Sequence, residues 1–212
     1  MIYFGSQAGV LPAGPGHSHQ EVRAIASVGA IPKLVLLEPA NEQEMRLALR
    51  WALLESTDST YLRVSSVKLE HAFALPKDYA LTLGRGAYIR EGRDVLIIAY
   101  GPVMLNEAIK AAALLEAHNV SAAILNLPWL NRLDTEWFIE TVRRYRQLVT
   151  IDDHYRERGQ GEFLAAVVAD VGLQLRVLRL GLTEIPVCGT AQETLAYHHL
   201  DAASIADQIL HT

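Results

Sequence analysis

An α/β fold is predicted by three features of this 212-residue sequence. Short apolar runs such as Leu34-Val35-Leu36-Leu37 and Val95-Leu96-Ile97-Ile98-Ala99-Tyr100 recur, with the length and composition of strands buried on both faces. Between them lie segments of helical period, such as Met45, Ala48, Leu49, Ala52 and Leu53. Helix-start signals precede several of these segments: Asn41 with Glu44 three residues on, Asp134, and Thr190 with Glu193. Strands alternating with helices imply a parallel or mostly parallel sheet covered on both faces.

In chain order, residues 2–4 read as a short strand, 20–28 as a helix ended by Gly29, 33–37 as a buried strand. A helix capped by Asn41 and a strand over 61–64 follow. Residues 65–93 lose the rhythm, because Ser65-Ser66, Leu75-Pro76-Lys77 and Gly84-Arg85-Gly86 punctuate them. This stretch is expected to be a linker with one or two short strands and a domain boundary near residue 75. From Asp94 the alternation resumes. A strand over 95–100 leads into a helix over 103–118 with Leu105, Ile109, Ala112 and Leu115 inward, then a strand over 121–127. The helix after Asp134 turns Phe138, Ile139, Val142 and Tyr145 inward, and 148–151 is a strand. Gly159 and Gly161 open a helix carrying Leu164, Val167, Val168 and Val171. A strand over 175–180 and helices starting at Thr190 and Asp201 complete the chain.

Composition narrows the function classes. Half the chain is apolar and a fifth charged, as in ordinary globular domains. A net charge of −5 argues against a general nucleic-acid binder. No apolar run approaches the roughly 18 residues that span a bilayer, and residues 1–5 lack the basic and apolar regions of a signal peptide. The single cysteine, Cys188, excludes an internal disulfide and fits a reducing cytoplasm. Its neighbours Ile185-Pro186-Val187 make it a packing residue rather than a nucleophile. Metal-ligand spacings are absent, as are GxGxxG after a first strand, GxxxxGK[ST] and GxSxG. NAD binding, ATP hydrolysis and α/β-hydrolase chemistry therefore have no support.

Chemistry is expected beyond the carboxyl ends of strands. Gly101-Pro102, residues 126–130 and Asp152-Asp153-His154-Tyr155 are the three such places in the second half. The last combines two carboxylates with a histidine, either an acid/base group or a charged loop paired with solvent. Gly159-Gln160-Gly161 cradles phosphate on one reading and packs a helix on another. Near the N-terminus, Gly14-Pro15-Gly16-His17-Ser18-His19-Gln20 precedes a helical pattern. It reads either as a ligand-facing turn with converging N–H groups and imidazoles or as a tight turn with two solvent histidines; these residues alone favour the second. His198-His199 lacks a metal partner at helical spacing and is expected at the surface, as are His71, His118 and His211.

Taken together, the motifs resemble those of the transketolase family of thiamine-diphosphate enzymes over essentially the whole chain. Gly14-Pro15-Gly16-His17 is similar to the family's Gly-Pro-x-His, followed by Ile31-Pro32-Lys33-Leu34 and Glu38-Pro39-Ala40. Its Gly-Pro-x-His-Ser form also resembles the beta subunit of 2-oxoacid dehydrogenases. In the second half, Arg90-Glu91-Gly92-Arg93-Asp94-Val95, residues 126–134 and Val149-Thr150-Ile151-Asp152-Asp153-His154 resemble the family's C-terminal domain.

The resemblance implies a partial pyrimidine-binding domain over 1–74, a linker over 75–93, and a three-layer α/β/α transketolase C-terminal domain with a mostly parallel sheet over 94–212. It implies a catalytic role for His17, whose imidazole would donate to a developing alkoxide or shuttle a proton. Substrate- or cofactor-binding roles follow for Gly16, His19, Arg63 and His154, with a structural role equally open for His154; no residue here is a metal ligand. The cofactor would be thiamine diphosphate with Mg²⁺, held only together with a thiamine-diphosphate-binding N-terminal subunit or domain in a homo- or hetero-oligomer such as a dimer. The glutamate that activates the cofactor and the aromatic residue that stacks on it would precede Met1, and the Gly-Asp-Gly metal signature is absent. Ala13 stands where many members carry an acid. Ser66 stands where sugar-phosphate enzymes place a second arginine, and a hydroxyl cannot replace a bidentate guanidinium clamp. These features imply either the C-terminal part of a two-carbon ketol- or acyl-transferring enzyme, inactive without its partner, or a non-catalytic module for dimerisation or partner binding. A truncated sheet also implies an exposed edge or apolar face around residues 2–4 and 34–37.

Overall fold

The computed structural model describes residues 1–70 and 72–212, so the expectation for His71 lies outside the described residues. The N-terminal third carries strands β1 (Ile2–Ser6), β2 (Leu34–Leu37) and β3 (Ser59–Val64), with helices α1 (Ala24–Val28) and α2 (Glu42–Leu54). The strands form a parallel sheet in the order β1-β3-β2. A second sheet has the order β4-β6-β5-β7-β8, from β4 (Ala87–Arg90), β5 (Val95–Ala99), β6 (Ala122–Asn126), β7 (Gln147–Tyr155) and β8 (Arg176–Leu182). All its pairings are parallel except that of β4 with β6. Its helices are α3 (Gly101–Glu116), α4 (Thr135–Val142), α5 (Gln160–Asp170), α6 (Ala191–Tyr197) and α7 (Ala202–Leu210).

The period of two along β5 divides the core. Val95, Ile97 and Ala99 pack under α3 and α7, whereas Leu96 and Ile98 face Phe138 and Val142 of α4 and Leu164 and Val168 of α5. Every residue of β5 and β6 is buried, as expected of a parallel sheet with helices on both faces. The second sheet is therefore a three-layer α/β/α unit. The α4/α5 layer is shared, because Leu62 of β3 and Ala48 and Trp51 of α2 enter the same cluster.

Backbone pairing joins the two sheets. Leu37 forms an antiparallel bridge with Trp129, Glu38 N–H donates to Pro128 O (3.0 Å), and Leu130 N–H donates to Leu36 O (2.9 Å). This covers the outer edge of β2, so Leu34–Leu37 are all buried, contrary to the exposed face expected there. At the opposite edge no strand among the described residues lies beyond β1, and Tyr3 and Phe4 are 45% and 59% exposed. Among the described residues, no helix is long and apolar enough to cross a membrane.

Several local signals act as read. Asp134 Oδ1 accepts from Trp137 N–H, and Thr190 with Glu193 forms a complete capping box. Asn41 caps α2, but the Glu44 carboxylate bonds Ala40 N–H (2.6 Å), Asn126 and the Tyr79 hydroxyl instead of closing a box. Burial pushes Glu44 above the usual carboxylate range. Leu53, expected inward, is 64% exposed. The helix expected over 20–28 shrinks to α1, because residues 20–23 are committed elsewhere. Glu21 pairs with Ala8 as a bridge, and its carboxylate accepts from the N–H groups of Arg23 and Ala24.

Trp129 is fully buried, its ring 4.8 Å from that of Trp51 at 81°, an edge-to-face pair across the junction. Trp129→Ala is expected to cost about 3–5 kcal/mol in urea unfolding, and Leu53→Ala less than about 0.5 kcal/mol; equal costs would show that the junction carries no stability.

Candidate functional site

A buried charge network occupies the junction between the sheets. Arg63 comes from β3, and its side chain is wholly buried. Its Nη1 lies 2.8 Å from Glu38 Oε2, and its Nε donates to Glu21 Oε2 (3.0 Å). Its Nη2 donates to the carbonyls of Glu21 (2.9 Å) and Asp153 (3.1 Å). An arginine with no exposed surface is tolerated only when charge and acceptors meet it; here Nε and Nη2 donate hydrogen bonds, and Nη1 faces the Glu38 carboxylate as an ion pair.

Two further acids come from β7. At Asp152 and Asp153 the sequence predicts a strand end carrying either an acid/base group or a charged loop, but β7 continues through them to Tyr155 and both are buried. Asp152 accepts from the N–H groups of Gln160 (2.8 Å) and Gly161 (2.9 Å) at the start of α5, and from the Tyr100 hydroxyl (3.0 Å). Asp153 Oδ1 accepts from Val10 N–H (2.7 Å). Burial outweighs these donors and pushes both aspartates up to about 6. It pushes Glu38 up to about 8 against the pull of Arg63. The backbone makes room for these acids: a Cβ on Gly9 or Gly101, both at positive φ, would run into Asp153 or Glu38 respectively.

His154 is also buried, with Nδ1 2.8 Å from Tyr155 O and Nε2 3.4 Å from Ala26 N. The carbonyl can only accept, so the proton sits on Nδ1. Burial pushes the imidazole down to about 4, leaving it neutral. Arg63 and His154 thus converge on one sealed cluster in which neither presents a free face.

The histidine turn lies at the surface. Gly16 (φ 88°) precedes a single 3₁₀ turn, His17–His19. Gly16 N–H donates to Ala13 O (3.1 Å), and Gln20 Nε2 donates to the carbonyls of Val10 (2.9 Å) and Val187 (3.2 Å). His19 is exposed, 2.9 Å from Ser18 Oγ. His17 is half-buried, its Nε2 2.6 Å from Arg23 Nη2 and its Nδ1 sealed without a hydrogen-bond partner. An imidazole can donate, accept or relay a proton, and His17 is the member of this turn tied to a second charged side chain.

Two further expectations change. His198 is buried rather than superficial, because its Nε2 accepts from Val187 N–H (3.1 Å) and ties residues 184–189 to α6. Cys188 is exposed rather than packed, and a Cβ on Gly16 would meet its Sγ at 3.0 Å. Sequence reasoning missed Glu21 and Arg23, which carry no motif. Among the described residues, no group of three or more His, Cys, Asp or Glu side chains is arranged to hold a metal ion.

The family model described as transketolase, C-terminal domain, matches residues 84–205. A relative described as a transketolase C-terminal section, from Methanocaldococcus jannaschii, is 30% identical over 97% of this chain and 64% of its own length. A 1-deoxy-D-xylulose-5-phosphate synthase from a Synechococcus species is 31% identical over 96% of this chain and 31% of its own length. The chain thus spans about two thirds of the first relative and about a third of the second. A solved split-gene transketolase, an inactive β4 tetramer, superposes on 99% of this chain with a TM-score of 0.81 at 23% identity, showing the shared fold.

The raised carboxyls have a measurable signature. Between pH 4.5 and about 8, folded Glu38 holds a proton that the unfolded chain releases, so stability falls as pH rises through this window. Asp152 and Asp153 act in the same direction between 3.8 and about 6, whereas His154 acts oppositely between about 4 and 6.5. From about pH 7 to 8 Glu38 is the main group of these four still titrating. The urea midpoint is expected to fall across that interval in the native sequence and to stay level in Glu38→Gln; parallel slopes would refute the assignment. Arg63→Met leaves the acids uncompensated and is expected to cost about 3–5 kcal/mol, read in the same unfolding assay.

Proposed function

For a chain that belongs to the transketolase C-terminal domain family, we propose that it is the C-terminal portion or subunit of a transketolase-like thiamine-diphosphate enzyme. In this reading it transfers two-carbon ketol or acyl units only when a partner chain or domain supplies the activating glutamate and the diphosphate–Mg²⁺ site. The observation that carries the proposal is the Gly16-His17 turn, held at the surface on a buried platform built from both sheets. His17 is the group assigned to chemistry, with Gly16 and His19 beside it. Arg63 and His154 serve by holding the platform, since their burial leaves them no face toward a ligand.

The residues present do not fit the diphosphate–Mg²⁺ end of the cofactor. The acids near the turn are buried or half-buried and committed to Arg63, to backbone N–H groups or to Tyr100. That end belongs to the proposed partner, a thiamine-diphosphate-binding N-terminal subunit or domain, and residues 1–74 are assigned to a partial pyrimidine-binding domain ahead of a C-terminal domain over 94–212. The open β1 edge is consistent with an assembly, and the solved split-gene relative is itself described as inactive in its β4 form. That description also favours a second reading, a non-catalytic module that assembles without contributing chemistry.

Calorimetric titration of the isolated chain with thiamine diphosphate and Mg²⁺ is expected to show no submicromolar binding; tight binding would refute the need for a partner. Reconstituted with an N-terminal transketolase section from the same source, the chain is expected to turn over. His17→Ala is expected to lower that turnover about 10²–10⁴-fold without altering assembly by size-exclusion chromatography. Unchanged turnover would leave the non-catalytic reading.

A further inference from the structure

We infer that Arg23 is a positioning residue for His17, its guanidinium setting which ring nitrogen carries the imidazole proton. The inference deepens the reading above and rests on it for its bearing on chemistry. Arg23 Nη2 lies 2.6 Å from His17 Nε2. A guanidinium has only donors and stays charged at any working pH. The contact is therefore a hydrogen bond only when Nε2 presents a lone pair, which puts the proton of the neutral ring on Nδ1. A protonated Nε2 would set two N–H groups against each other at that distance.

The donor is held in place by two contacts. Its guanidinium carbon lies 5.6 Å from the centroid of the Tyr155 ring, a cation–π contact that orients the plane of the fork. Its backbone N–H donates to Glu21 Oε1 (2.9 Å), and the other oxygen of that carboxylate accepts from Arg63 Nε (3.0 Å). Tyr155 is fixed in turn by its N–H bond to Val22 O (3.2 Å) and its pairing with Leu182. On the acceptor side, Gln20 and His198 anchor the turn through Val187. The tautomer of a surface histidine is thereby set by a line of contacts that begins at the buried arginine.

The consequence is chemical. An unpartnered neutral imidazole in water favours the proton on Nε2, whereas His17 held by Arg23 offers its N–H from Nδ1. That Nδ1–H lies on the enclosed edge of the ring, with the guanidinium occupying the opposite edge.

Nitrogen-15 NMR of the histidine side chains, recorded on the whole chain above the imidazole titration range and assigned with His17→Asn, reads this directly. The native sequence is expected to show the Nδ1–H pattern at His17. Arg23→Ala is expected to shift it to the Nε2–H pattern, with the amide spectrum confirming a folded chain. Tyr155→Phe, which keeps the ring face, should remain native-like, and Tyr155→Ala should move toward Arg23→Ala. An Nε2–H pattern in the native chain, or an Nδ1–H pattern surviving in Arg23→Ala, overturns the inference. The measurement needs neither cofactor nor partner, so failure of the transketolase-like reading leaves its result standing.

Discussion

A single buried guanidinium constrains the architecture more than any apolar contact does. Removing Arg63 from water demands compensating charge and acceptors within reach, and these arrive from different parts of the chain. Glu38 comes from the end of β2, Glu21 from the segment before α1, and the Asp153 carbonyl from β7. Meeting at one side chain fixes the angle and spacing of two sheets that share no strand. The close approach has a steric corollary, since Gly9 and Gly101 stand where any side chain would displace an acid. Desolvation is strong enough there to push the Glu38 carboxyl well above its usual range even with the Arg63 guanidinium beside it.

The fold was largely legible because its signals are local. Apolar runs and helical spacing are written within a few residues of one another, and so are the Asp134 and Thr190 caps, whose partners lie three residues away. The candidate site was less legible for the complementary reason. Two acids and a histidine interrupt an apolar run, so the strand at 148–151 ends early on paper, whereas β7 continues to Tyr155. What lets it continue is a set of partners far off in sequence, including Val10, 143 residues from Asp153, and Arg63, 90 residues away. The same holds for residues 20–23, where the charge of Glu21 is spent on tertiary contacts and the helix starts late. His17 and Arg23 are six residues apart, a spacing that no regular element brings together, and the 3₁₀ turn with the short α1 does so instead.

These observations separate platform from chemistry. Arg63 and His154 support the site without facing outward. The turn is surface structure bonded back to that support, through Glu21 and Arg23 on one side and Val187 on the other. An arrangement of this kind holds one imidazole in a defined state at the boundary of the chain, where another protein surface can reach it. It also explains how Cys188, far from the turn in sequence, comes to lie beside Gly16.

The same long-range pairing orders events during synthesis. Glu38 and Arg63 leave the ribosome well before β7 and the first turn of α5, so the N-terminal third cannot complete its charge network by itself. Until residues 152–161 are available, those groups must remain hydrated and the surface that later meets Trp129 must stay open. Contacts of such high sequence separation close late, after local helices and adjacent strands have formed. The nascent chain therefore passes through a stage in which its most polar junction is its last to dry, and a synthesis stall before residue 161 would strand it there.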